Sequence, residues 1–457
     1  MKLYLKMLIL SLLAVLSGAC KDPVHEMTLE NGLKVIVQED HRSPVVVSQI
    51  WYKIGAIDEP EGLTGISHVL EHMMFKGTKR YGPGEFSRII AENGGRENAF
   101  TGSDYTAYFQ QLEKSRLPIA FELEADRMHN LVLREQDFQK ERDVVIEERR
   151  LRTEDSPQSL TYEKFMTTAY SVHPYKDPII GWMKDLEALE LADLKEWYGK
   201  WYAPNNATLV VVGDVLPREV FALAEKYFGE IKPRAVQKRN LPIEPAQTEP
   251  RYSEVSVPAE IPYLLLGYHV PNASSDKNDW KTPALTILAG VLDGGTSSRF
   301  TRDIVRGQQL ATSVGADYSS VARAPTLFLF DGTPARGHTV SELEQAIYQQ
   351  IEKVKTSLVD EDELDRVKAQ VVAGDVFGRD SVFYQAMRIG QLETVGLDHR
   401  LLKDYVKRLQ SVTAEQVREV AREYLVKTNL TRTVLNPLPI NKKSANAAGK
   451  GGGHGAH

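Results

Sequence analysis

The stretch Ile66-Ser67-His68-Val69-Leu70-Glu71-His72-Met73 decides how this chain is read. Apolar Ile66, Val69, Leu70 and Met73 recur at helical spacing, so one face of a short helix points into a core. His68 and His72 are four residues apart and stand one above the other on the opposite face. Two imidazoles on successive turns can grip one divalent ion. Glu71, three residues after His68, is placed to act on a water bound to that ion. Taken alone, the same residues also fit an amphipathic helix with solvated His and Glu side chains, so the surrounding sequence has to decide.

A catalytic zinc takes three protein ligands and keeps one position open for water. The chain has a single cysteine, which excludes intrachain disulfides and multi-cysteine metal sites. The remaining ligand must be another His or a carboxylate. Glu141-Arg142-Asp143-Val144-Val145-Ile146-Glu147-Glu148 reads as a carboxylate-rich helix. Glu141 and Glu148 are seven apart and share a face, with Glu147 competing for the ligand role. The alternative is a solvated charged helix face, although the valines interrupt it.

Further out, the chain divides into two similar halves, residues 26–231 and 251–438. A Pro-rich polar stretch, 232–250, lacks periodicity and reads as a linker. Each half opens with strands, at 34–37 and 45–54 or at 254–257 and 263–268. Each continues with a helix ending near glycine, at 66–75 or 282–292. A shorter helix follows, at 85–92 or 298–306, and then a β segment at 98–111 or 311–330. Each half closes with a helix and a strand, at 191–201 and 208–212 or at 414–424 and 431–435. Helices interleaved with sequential strand pairs indicate an α+β layered architecture built as a divergent repeat. The second half carries no metal pattern, because its corresponding helix is apolar with Gly290.

The 457 residues allow two to three domains. With 56 Lys and Arg against 62 Asp and Glu, the net charge is −6, which argues against a general nucleic-acid binder. At the N-terminus, Lys2 and Lys6 precede an apolar run over 7–16, followed by Ser17-Gly18-Ala19-Cys20. This is a secretory pattern, too short for a comfortable membrane span. It resembles a bacterial lipoprotein signal over 1–20 in which Cys20 is lipidated, with Ser17 departing from the usual aliphatic residue. Residues 439–457 read as a disordered Gly/His tail.

These motifs together resemble the pitrilysin–insulinase–mitochondrial processing peptidase family of zinc metallopeptidases, the inverzincins, whose helix reads H-x-x-E-H. Gly55, Glu59 and Gly65 match the approach to the zinc helix. Asn98-Ala99-Phe100-Thr101 matches a substrate-binding edge strand, and 141–148 matches the third-ligand helix. His173-Pro174-Tyr175 and Tyr202-Ala203-Pro204-Asn205-Asn206 match further landmarks. The resemblance implies two tandem homologous domains, each a β-sheet packed against helices. It also implies one Zn²⁺ per chain, with His68, His72 and Glu148 as ligands and Glu71 as general base. Glu141 becomes the carboxylate orienting a ligand histidine, and Asn98, Ala99, Phe100 and Thr101 bind extended peptides.

Family members usually carry an Arg and a Tyr in the second half to hold substrate. Arg306 matches the Arg position, whereas Thr312 stands where the Tyr is expected. The resemblance therefore implies a bacterial two-subunit type, with a homologous non-zinc partner supplying an Arg/Tyr pair, or alternatively a homodimer. The expected product is a zinc metalloendopeptidase of the bacterial envelope, periplasmic and lipid-anchored at Cys20. The competing reading is a non-catalytic scaffold or peptide-binding subunit of the same fold.

Overall fold

The computed structural model describes residues 24–440 except 238, 239 and 277. The signal segment with Cys20, and the tail from residue 441 onward, lie outside the described residues.

Two sheets organise the chain. The first takes β1 (Val24–Thr28), β2 (Lys34–Glu39), β3 (Val45–Tyr52), β4 (Arg96–Thr101), β5 (Thr106–Glu113) and β6 (Ala207–Gly213), in the order β1-β2-β6-β3-β5-β4. The second takes β7 (Arg251–Pro258), β8 (Tyr263–Val270), β9 (Ala311–Tyr318), β10 (Thr326–Pro334) and β11 (Leu430–Leu438), in the order β7-β11-β8-β10-β9. Apart from β1, the two orders superimpose strand for strand. In each sheet one pair is parallel, β2 with β6 or β7 with β11, and the other pairings are antiparallel. The internal repeat read from the sequence is therefore real at the level of topology. The two long β segments expected at 98–111 and 311–330 are each an antiparallel hairpin, broken at residues 102–105 and 319–325.

Alternation sends Val46, Ile50 and Tyr52 of β3 into the main core of the first half, and Val47 and Trp51 to the opposite face. That second face is covered as well. Val47, Trp51, Val210 and Val212 pack with Ala386 and Ile389 of α5 (Val382–Thr394), a helix from the second half. The exchange is reciprocal: α3 (Pro157–Ala169) of the first half lies on β7, β11 and β8. There Phe165 and Ala169 are buried with Leu265 and Leu327. Each half thus lends a helix to the other's sheet. Between 232 and 250 the described residues form neither helix nor strand. The segment is pinned where the Glu244 carboxylate accepts backbone N–H bonds from Ser171, Val172 and His173, at 2.7, 2.9 and 2.9 Å.

Candidate active site

The site is assembled by four elements: α1 (Ile66–Met73), α2 (Glu135–Arg149) with the π-helical turn Arg150–Glu154 that continues it, α3 and the edge strand β4. Helix α1 begins at Gly65, whose φ of +87° suits glycine. A Cβ there would lie 2.6 Å from the Ile180 carbonyl oxygen, so glycine also permits the close approach of the 178–181 loop. Glycine has no side chain to cap the helix. The Glu59 carboxylate does so instead, accepting from the N–H groups of Gly65 (2.7 Å) and Ser67 (2.8 Å). Ile66, Val69, Leu70 and Met73 are fully buried, as the periodicity requires, and His68, Glu71 and His72 face the other way.

His68, His72 and Glu148 each offer one ligand atom, and these atoms lie within 4.8 Å of one another. The Glu148 oxygens are 3.9 Å from His68 Nε2 and 3.7 Å from His72 Nε2. Such separations leave room for one ion held about 2 Å from each atom. The tautomer of His72 supports the same use. Glu141 lies 3.2 Å from His72 Nδ1, and Lys76 Nζ neutralises its other oxygen at 2.7 Å. An ionised carboxylate can only accept, so this contact calls for the proton on Nδ1 and leaves Nε2 as the ring atom that faces Glu148 and could ligate. Burial, with the neighbouring His72 and Arg152, holds His68 down at about 3, so its imidazole is neutral at physiological pH. Two imidazoles and a carboxylate are a donor set suited to zinc.

Glu71 projects beside these residues, and its carboxylate accepts a hydrogen bond from the Thr101 hydroxyl at 2.5 Å. Burial pushes the Glu71 carboxyl up, while the Thr101 hydrogen bond pulls the other way. His68, Glu71, His72 and Glu148 line a cavity of roughly 880 Å³ together with residues 98–101, Arg152, Tyr162, Lys176 and Tyr263. Strand β4 ends the sheet order, so among the described residues one of its backbone edges has no neighbouring strand. The Ala99 N–H donates to the Asn98 side-chain oxygen (2.9 Å), and Phe100 packs edge-on against Trp51 on the far face.

The structure therefore brings together His68, Glu71, His72, Glu141, Glu148 and the strand residues Asn98, Ala99, Phe100 and Thr101. Glu147 is excluded from the cluster, since its carboxylate pairs with Arg150 and does not line the cavity. Arg306, on the π-helix Phe300–Gly307 of the second half, does not line the cavity either. His173 serves the loop: its Nδ1 accepts the Tyr175 N–H at 3.2 Å. Three partners were not foreseen: Thr101 to Glu71, Lys76 to Glu141 and Arg152 to Glu148, the last at 2.5 Å. Arg152 follows Glu148 by four residues, a spacing that signals a shared helical face, whereas Lys76 lies beyond the end of α1. Among the described residues, no helix is long and apolar enough to cross a membrane.

Two family models match the chain. Residues 34–182 match "Insulinase (Peptidase family M16)" and residues 188–371 match "Peptidase M16 inactive domain". The zinc protease PqqE of Helicobacter pylori is 34% identical over 422 residues, spanning 91% of this chain and 93% of the relative. The chain belongs to the insulinase peptidase family. A solved protease from Helicobacter pylori superposes on this insulinase-family chain with a TM-score of 0.86 at 32% identity, covering 91% of this chain and 99% of that one. The periplasmic protease PqqL from Escherichia coli shares the fold, with a TM-score of 0.77 at 19% identity, covering 93% of this chain and 48% of that one. The inactive-domain match begins within the closing helix-and-strand part of the first half and runs through helix α4 (Lys281–Asp293), which carries no histidine.

Proposed function

We propose that this insulinase-family chain is a zinc metalloendopeptidase acting on extended, unstructured peptides. One observation carries the reading: two histidines and a carboxylate converge on a common point, with a further carboxylate beside them, in a cavity bordered by an open strand edge. His68, His72 and Glu148 would hold the zinc, which would supply Lewis acidity and a bound water of lowered pKa. Glu71, beside these donors and held by Thr101, would be the group that accepts a proton on the nucleophile side and returns it to the leaving amine. Glu141 holds His72 in the ligating tautomer. The backbone edge of β4, over Asn98, Ala99, Phe100 and Thr101, pairs with the peptide as an added strand, which selects extended conformation over sequence.

The second half contributes no donor to this cluster, and Arg306 does not line the cavity. We therefore assign a homologous non-zinc partner that lends an Arg/Tyr pair, with a homodimer as the alternative. The chain's fold spans about half the length of PqqL, which supports a pair of such units as the assembly. The pattern ending at Cys20 supports a lipid-anchored protein of the bacterial envelope.

The test uses zinc-loaded protein lacking the first 20 residues and a pool of unstructured peptides. Cleavage that Glu71→Gln abolishes while zinc stays bound supports the reading. Cleavage that appears only after adding a membrane-derived subunit supports the two-subunit form. Protein that binds no zinc and cleaves nothing with the added subunit overturns the reading in favour of a peptide-binding scaffold, and cleavage undiminished in Glu71→Gln overturns the role given to Glu71.

A further inference from the structure

We propose that Thr101 is a positioning residue for Glu71, through which the peptide-binding edge of β4 and the proton acceptor are joined. The proposal rests on the peptidase reading above. Its basis is the hydrogen bond from Thr101 Oγ1 to Glu71 Oε2 at 2.5 Å. An ionised carboxylate has no proton to give, so the hydroxyl donates. One oxygen of Glu71 is thereby committed, and Oε1 is left to take a proton. Without that tether a glutamate samples several rotamers about three torsions, few of which point a lone pair at one place.

The donor is held more firmly than the acceptor. Threonine is branched at Cβ and stiff about χ1. Thr101 is the last residue of β4 and is paired in register with Thr106, whose own hydroxyl donates to the Ile54 carbonyl at 2.9 Å in a fully buried position. Alternation places the Thr101 side chain on the same sheet face as Ala99 and opposite Phe100, which is anchored against Trp51. The strand thus divides its tasks. Its backbone edge meets the peptide, its far face grips the fold, and its near face holds the base. A peptide seated along β4 orders the strand and, through one side chain, orders Glu71.

The test compares Thr101→Val, which keeps the shape and removes the hydroxyl, with Thr101→Ser, which keeps the hydroxyl. For Thr101→Val the expected result is a kcat lower by roughly ten- to a hundredfold, the loss of a hydrogen bond to a charged acceptor, with KM and zinc content unchanged. Thr101→Ser restores kcat. Crystal structures of both variants supply a readout independent of turnover: Glu71 keeps a single rotamer in Thr101→Ser and is spread over several in Thr101→Val. Parental kcat in Thr101→Val, equal losses in both variants, or an unmoved Glu71 in the Thr101→Val structure overturns the proposal. A parent protein that cleaves nothing and equals Glu71→Gln even after the membrane-derived subunit is added overturns the peptidase reading itself.

Discussion

Glu141 holds two partners at once, His72 Nδ1 at 3.2 Å and Lys76 Nζ at 2.7 Å. It touches no ligand atom of the candidate metal site, yet it decides which imidazole nitrogen is free. Replacing it by glutamine leaves the three donors in place and removes the negative acceptor behind one of them. Glu141→Gln is expected to weaken zinc binding by about 10- to 100-fold, as measured by competition with a chromophoric chelator. At this scale the sequence carried the donors plainly, because helical spacing alone put His68 and His72 on one face. It did not carry Thr101 to Glu71, because a contact between a strand and a helix 30 positions apart leaves no local signature. Even the choice between Glu147 and Glu148 came from family resemblance, and only the fold shows the reason: Glu147 is turned towards Arg150.

Helix α5 crosses the back of the first sheet with glycine at the point of closest approach. A Cβ at Gly390 would lie 2.1 Å from two ring atoms of Trp51. Gly390→Ala must push the indole or the helix away, an overpacking that costs about 1–3 kcal/mol. The denaturation midpoint is expected to fall, while zinc content, measured on the native protein, stays unchanged. The linker offers a second test. Burial raises the Glu244 carboxyl, but hydrogen bonds from the Ser171 hydroxyl and from the N–H groups of His173, Ser171 and Val172 outweigh it and bring the group to about 2. The usual glutamate value is about 4.3, so an unfolded chain binds this proton first as pH falls. The stabilisation is complete above about pH 5 and drains away on acidification towards about 2. Glu244→Gln should lower the melting temperature at about pH 7 and flatten its decline between about pH 5 and about pH 2.

The repeated order of strands was legible from the alternation of helical and strand patterns, since both halves use the same local grammar. The exchange of helices was not. A helix covering a distant sheet displays the same amphipathic face as one covering its own, so α3 and α5 carry no mark of the surface they meet. Their consequence appears only in the whole molecule. Neither half can bury its apolar surfaces without the other: Val47, Trp51, Val210 and Val212 need α5, while Leu265 and Leu327 need Phe165 and Ala169 of α3.

It follows that peptide-bond continuity through 232–250 is dispensable once folding is complete. A protease that nicks this stretch in the native protein should leave two fragments on a denaturing gel but one particle on a sizing column, with its metal retained. Expressed apart, the fragments should be insoluble, and made together they should find each other. What joins the two domains, on this view, is mutual enclosure, and the covalent connection serves chiefly to guarantee a one-to-one ratio.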